Sequence, residues 1–382
     1  MRLIPTSRVT DGALLGADVQ IGNSQGIPLL RRGVRLTDRL RDRLIALGVH
    51  AVYVEDAISE GICPEPMLDE DTRIAATKAV ATAFRAARQA FERNEPLGED
   101  SLLTLQQVVG RILERLESCG PAASLALADM ASADGYTFQH SIDVATVGLV
   151  VARRYWLTHG WCDHQGVRRY DRIDSRLGEL GMGLLLHDVG KLGIPRAILH
   201  KEGKLDAAEW SLMRRHPRMG VDLLATDLLS PLVKGVVLRH HERWNGSGYP
   251  DGRAREAIHE MARIAGVADT FDAIISERVY APARPAADGV TVIREGAGTL
   301  FDPAVVVAFC AVVPPYPPGS EVTLPDGRCA IVVSVEEGHF DTPLVRTFDG
   351  AEEVVALGAA TGPEALSPGA GRVSTRPATV PA

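Results

Sequence analysis

The chain contains no run of about 18 consecutive apolar residues, so no membrane-spanning helix is expected. Its first residues, Met1-Arg2-Leu3-Ile4-Pro5, lack the long apolar stretch of a secretory signal, and a cytoplasmic setting is expected. Cysteine is scarce. The five present (Cys63, Cys119, Cys162, Cys310, Cys329) are scattered and never at C-x-x-C spacing, which argues against a disulfide frame or a thiolate zinc site. An excess of basic charge is also missing, because 41 Lys and Arg face 49 Asp and Glu, a net of −8. Proteins that track a nucleic-acid backbone carry the opposite balance, so no nucleic-acid polymer is expected as a partner. A small anionic substrate stays open, since a local cluster of cations can oppose the global charge.

What is present suits a soluble, mainly α protein of two or three domains, with 46% apolar and 24% charged residues over 382 positions. Residues 1–57 read as a small α/β module. Strand-like Ala17–Ile21 and Ala51–Val54 flank a helix from Thr37 to about Leu47, with Thr37 as N-cap and Gly48 as stop. Residues 66–120 read as a helical connector, apolar at helical spacing in Ile74–Phe84 and Leu102–Leu116 and broken at Asn94–Gly98. The two helices are expected to serve as a connector or as a hairpin that forms a homodimer. Residues 121–310 are again helical, with Ser230-Pro231 as a helix start and a capping box in Asp206–Glu209. A small β-rich segment is expected over 313–356, and a disordered tail rich in Gly, Pro, Ala, Ser and Thr over 357–382.

Five histidines in the long helical region, His140, His187, His216, His240 and His241, stand out together with Asp188 and Asp269. Imidazole nitrogen and carboxylate oxygen suit first-row metals such as iron, manganese, zinc or nickel. The adjacent pair His187-Asp188 ends the apolar run Gly181–Leu186. Burying both groups costs desolvation energy unless an ion compensates. Side chains adjacent on a helix diverge by about 100°, so the pair serves one ion only near a helix end, or reaches two ions. Asp188, with two oxygens, is a candidate bridge. Two ions roughly 3.5–4 Å apart polarise a phosphoryl group and activate water, which makes phosphoester hydrolysis the chemistry this inventory fits best. Lys191, three residues on, is placed to hold a phosphate oxygen.

These stretches resemble the HD-GYP family, a branch of the HD phosphohydrolases. The matching pieces are Tyr136-Thr-Phe-Gln-His140-Ser141, His187-Asp-Val-Gly-Lys191-Leu-Gly-Ile-Pro195, and His216-Pro-Arg-Met-Gly220. They continue through His240-His-Glu-Arg-Trp-Asn-Gly-Ser-Gly-Tyr-Pro250, Ala262-Arg-Ile264, Asp269, Asp272 and Arg278, ending at Phe301-Asp-Pro303. The match spans roughly residues 121–310. It implies an HD-type helical bundle hydrolysing cyclic di-GMP to pGpG, and further to GMP, through a hydroxide bridging two divalent ions, Fe or Mn. By position, His140, His187, Asp188 and Asp269 would hold one ion. Asp188 would bridge to a second, held by His216, His240 and His241. Lys191 and Arg278 match phosphate-contacting positions, and Tyr249 is grouped with them as a substrate-binding residue. The Gly248-Tyr249-Pro250 loop is the expected contact for GGDEF-domain proteins.

Three departures from the family pattern stand out. Asn245 replaces the usual Asp, which is expected to tune rather than abolish the site. Val279-Tyr280-Ala281 stands where a cation usually follows Pro-Tyr, so another cyclic dinucleotide, such as cyclic GMP-AMP, is an alternative substrate. A charge-assisted phosphate contact is worth roughly 1.5–3 kcal/mol, about ten- to a hundredfold in affinity. Tyr136 occupies the position where members with a third metal carry Glu, so two ions are expected rather than three. A cyclic di-GMP receptor or scaffold without turnover is the remaining alternative.

Overall fold

The computed structural model describes residues 1–19, 28–49, 51–64, 68–118, 136–163, 166–201, 203–276, 284–336 and 338–357. The expected tail beyond 357 lies outside them. The chain opens with strands β1 (Arg2–Pro5) and β2 (Leu14–Leu15), helix α1 (Asp38–Ala46) and strand β3 (Ala51–Glu55). The strands form an antiparallel sheet in the order β1-β3-β2, pairing Leu3 with Tyr53 and Leu15 with Val54. The Thr37 side chain accepts the Leu40 N–H at 3.3 Å, the cap that the sequence announces. Ile4, Leu15, Leu36, Leu44 and Val52 make a small core of their own. Of the strand expected over Ala17–Ile21, Val19 forms an isolated bridge with Leu30, and residues 20 and 21 lie outside the described residues.

The helical body follows, with α2 (Glu70–Arg93), α3 (Glu99–Ser118) and α4 (Tyr136–His159). A hairpin of β4 (Trp161–Cys162) and β5 (Arg168–Arg169) leads into α5 (Ile173–Leu186). Short helices α6 (Arg196–Leu199), α7 (Ala207–Met213) and α8 (His216–Leu223) precede α9 (Pro231–Arg239), α10 (Glu260–Ile275), α11 (Ala286–Glu295) and α12 (Pro303–Cys310). Both helix starts read from sequence are present. Ser230 caps α9 through the Val233 N–H, and Asp206 and Glu209 close a capping box on α7.

One hydrophobic cluster unites this body. Phe84 of α2, Leu105 and Ile112 of α3, Trp156 of α4, Leu185 of α5, Val237 of α9, Phe271 of α10 and Phe309 of α12 all belong to it. The contact between α3 and α5 is close: a Cβ added at Gly181 would lie 2.6 Å from Val109. Helices α2 and α3 bury their apolar faces against the same core as the histidine-bearing helices. Helical periodicity showed that each helix has a face to bury but not what covers it.

The last described elements are β6 (Glu321–Thr323), β7 (Cys329–Ser334), β8 (Leu344–Thr347) and β9 (Glu352–Val354), an antiparallel meander in that order. This sheet docks onto the first module. The Leu3 N–H donates to Gly319 O at 3.1 Å, and the Arg346 guanidinium donates to the carbonyls of Ile58 (2.9 Å) and Glu60 (2.7 Å). Glu321 takes ion pairs from Arg2 and Arg8. No described helix is long and apolar enough to cross a membrane.

Candidate metal centre

Three of the five histidines are aimed by one device. His187 caps the C-terminus of α5, His216 is the first residue of α8, and His240 caps the C-terminus of α9. The Nδ1 of each lies against the carbonyl three residues earlier: Leu184 at 2.7 Å, Met213 at 2.9 Å and Val237 at 2.9 Å. A carbonyl only accepts, so Nδ1 carries the proton and Nε2 keeps its lone pair. His140, inside α4, is turned by a carboxylate instead, its Nδ1 sitting 2.6 Å from Asp272 Oδ2. All four Nε2 atoms converge on Asp188.

The two oxygens of Asp188 face different groups. Oδ2 lies 3.4 Å from His187 Nε2 and 3.6 Å from His140 Nε2. Oδ1 lies 3.3 Å from His216 Nε2 and 3.9 Å from His240 Nε2. Asp269 divides in the same way. Its Oδ1 is 3.3 Å from His140 Nε2 and 3.9 Å from His187 Nε2, and its Oδ2 is 3.8 Å from His241 Nδ1. Two donor sets result, Asp188 with His216, His240 and His241, and His140 with His187 and Asp269. All seven expected ligand residues come together. The sequence suggested only Asp188 as a bridge, whereas the geometry gives Asp269 two-sided contact as well.

This donor set fits divalent cations. Asp188 Oδ1 and His241 Nδ1 are buried with no hydrogen-bond partner among the described residues, a costly arrangement unless an ion takes both. Metal–ligand bonds of about 2.1 Å place neighbouring donors about 3.0–3.4 Å apart, close to the spacings seen. The charge states agree too. Burial pushes His216 down to about 4 and His240 down to about 3, and it drives His241 well below its ordinary value. Burial alone would raise both carboxyls. For Asp188 the ammonium of Lys191 and the neighbouring His187 and His140 outweigh it, and for Asp269 the neighbouring His140, His241 and His187 do. Both acids end well below the usual carboxylate range. Neutral imidazoles beside ionised carboxylates are the forms that bind metal.

Lys191 reaches Asp188 Oδ2 at 2.5 Å from a 3₁₀ turn, Val189–Gly193. That turn lies so close to α8 that a Cβ at Gly190 would fall on the carbonyl oxygen of His216. Glycine here permits close approach of two backbones, and it places Lys191 and His216 on either side of Asp188.

Two functional residues went unassigned in the sequence. Asp272 orients His140, and its position three residues after Asp269, on the same face of α10, was the available signal. Glu242, beside the histidine pair, accepts the backbone N–H groups of Asp251 (2.8 Å) and Arg253 (2.9 Å) and so staples the glycine-rich loop. Within that loop a Cβ at Gly248 would meet Arg243 N and His241 O at 2.4 Å. Tyr249 is buried, stacked on His241 with ring centroids 4.6 Å apart. The ring expected as a partner contact thus faces the metal centre, and Asn245 and Ser247 are the exposed loop residues. Arg278 and residues 279–281 lie outside the described residues, as does the side chain of Tyr136.

Comparison with known proteins points the same way. The family model described as HD domain matches residues 167–305. A cyclic di-GMP phosphodiesterase of Pseudomonas aeruginosa is 35% identical over 297 residues, 76% of this chain and 66% of that protein. A cyclic di-GMP phosphodiesterase of Vibrio cholerae is 46% identical over 134 residues, 33% of this chain and 27% of the relative. A 3′3′-cGAMP-specific phosphodiesterase of the same organism is 46% identical over 97 residues, 25% and 19% of the two chains. The chain thus spans 66%, 27% and 19% of the lengths of these relatives.

Proposed function

Because the chain belongs to the HD-domain family, in its HD-GYP branch, we propose that it is a cytoplasmic, metal-dependent phosphodiesterase opening cyclic di-GMP to pGpG and then to GMP. The observation that carries this reading is Asp188. It is a buried carboxylate placed between two sets of buried donors, with an oxygen that has no hydrogen-bond partner among the described residues. Two divalent ions, Fe or Mn, held there by His140, His187, Asp269, His216, His240 and His241 around Asp188, would polarise the scissile phosphate and activate water. The remaining work falls to the chain's own side chains. Lys191 is half-exposed at the centre and pairs with Asp188; on substrate binding its ammonium turns to a phosphate oxygen, where it offsets the developing charge. Tyr249 closes the wall over His241 and excludes water from that side. Arg278 is proposed as a second phosphate contact.

The test is anaerobic purification with metal quantification, followed by product analysis from cyclic di-GMP. Two metal equivalents per chain are expected, with pGpG formed first and no turnover by Asp188→Ala. Metal-replete protein that leaves cyclic di-GMP intact would overturn the reading and leave a receptor or scaffold. The resemblance to a 3′3′-cGAMP-specific enzyme, together with Ala281, favours a second reading in which cyclic GMP-AMP is the better substrate. Rates measured side by side on both dinucleotides decide it. A GGDEF-domain partner, if it docks on the glycine-rich loop, would meet Asn245 and Ser247 first, and exchanging both for lysine should abolish its capture.

A further inference from the structure

A cyclic dinucleotide brings two phosphates, and the donor sets around Asp188 can take only one of them at a time. A cation elsewhere on the wall would hold the other. Helix α7 supplies a candidate that the motif reading passed over. Trp210 and Arg214 stand four residues apart on one face, and both reach Tyr249. The Arg214 guanidinium lies over the Tyr249 ring at 4.8 Å from its centroid, and Trp210 meets the same ring edge-on at 6.3 Å. Tyr249 in turn stacks on His241. A continuous path therefore runs from the donor sets through one aromatic ring to an exposed guanidinium.

Arg214 is held by that stack and not by an acid. Among the described residues no ion pair joins it to a carboxylate. The nearby Glu209 is taken by Lys201 and Asp251 by Arg218. A guanidinium positioned by stacking keeps its forked N–H groups for a planar or tetrahedral oxyanion.

Resting on the phosphodiesterase reading, we infer that Arg214 is a substrate-binding residue that takes the second, non-reacting phosphate of a cyclic dinucleotide, with Trp210 and Tyr249 as its platform. It supplies on α7 a cation of the kind missing at Ala281. The contact is made in ground and transition states alike, so its loss raises KM more than it lowers kcat.

The test uses the full chain loaded with Mn(II) and four substrates: cyclic di-GMP, cyclic GMP-AMP, cyclic di-AMP and bis(p-nitrophenyl) phosphate, a diester with one phosphate and no base. Arg214→Ala should raise KM for each turned-over dinucleotide ~10- to ~100-fold. Arg214→Lys should recover part of that loss, while KM for the aryl diester shifts less than about threefold, which also reports that the variant is folded. Equal KM changes on dinucleotide and aryl diester would overturn the inference. So would a loss confined to guanine-bearing substrates, which would mean that Arg214 reads a base edge, the usual arginine contact to guanine. If the unaltered chain turns over none of the four, the phosphodiesterase reading fails first and this inference with it.

Discussion

Asp272→Asn isolates a carboxylate that touches the candidate metal centre without being one of its expected ligands. The Asp272 carboxylate is 1% exposed, with Oδ2 at 2.6 Å from His140 Nδ1 and Oδ1 accepting the Ser276 hydroxyl at 3.0 Å. The negative charge fixes the proton on Nδ1 and makes Nε2 a stronger base toward an ion. Asparagine keeps the shape and one acceptor but removes the charge. Losses from changing such an outer partner typically run 10–100-fold in metal affinity, or about 1.4–2.7 kcal/mol. Asp272→Ala should do worse, because it strands a buried Nδ1–H at a further cost of about 1–3 kcal/mol. Competition between the protein and a chelator of known affinity, followed by metal content, reads this directly and needs no turnover. Affinity for Mn(II) within threefold of the unaltered chain in both variants would refute the orienting role.

Gly248→Ala should destabilise the chain by about 1–3 kcal/mol in denaturant unfolding, since its Cβ would meet backbone atoms that cannot move aside; an unchanged midpoint would contradict the close packing. Glu242→Gln should loosen the loop, speeding amide exchange at Asp251 and Arg253, whose N–H groups bind that carboxylate. His259 is pushed down to about 4, first by burial and then by Arg263 and Arg176. The unfolded chain therefore takes up that proton first, near pH 6.5. Stability from this group is complete above about pH 6.5 and falls by up to ~1.4 kcal/mol per pH unit toward pH 4. Asparagine also caps helices well, so His259→Asn should retain the cap on α10 and flatten this acid limb; an acid limb of unchanged steepness would count against it. Adding Mn(II) to metal-free protein should raise its unfolding midpoint with concentration, and a flat response would remove the case for a site.

Local signals survived the passage from sequence to structure where they depend on a few neighbouring residues. Thr37, Ser230 and the Asp206–Glu209 box are caps in both, because a cap needs only its own turn. The seven candidate ligands also come together, since their type and order were specific enough to identify a family whose fold brings them into one place. What sequence concealed is what depends on partners distant in the chain. Asp272 stood among the matching residues without a role until His140, 132 positions earlier, turned out to lie against it. Tyr249 was expected both to bind substrate and to sit in a partner-contacting loop, and the packing of Gly248 on the His241–Arg243 backbone turns it inward. Strands β1, β8 and β9 went unread because each is only three or four residues long, too short for an alternating pattern to stand out.

The hydrogen bonds from Arg346 to the carbonyls of Ile58 and Glu60 join residues almost 290 positions apart, with the whole helical body between them. Closing so long a span in an unfolded chain costs about 5 kcal/mol in loop entropy alone. These bonds, with the Leu3–Gly319 hydrogen bond and the Glu321 ion pairs, form at far lower cost once the body has drawn the flanking sheets within reach. The clasp is therefore a late event in folding and an early one in unfolding. A fluorophore pair placed across it would dim before the helices lose their circular dichroism, making the junction a sentinel for the integrity of everything it encircles.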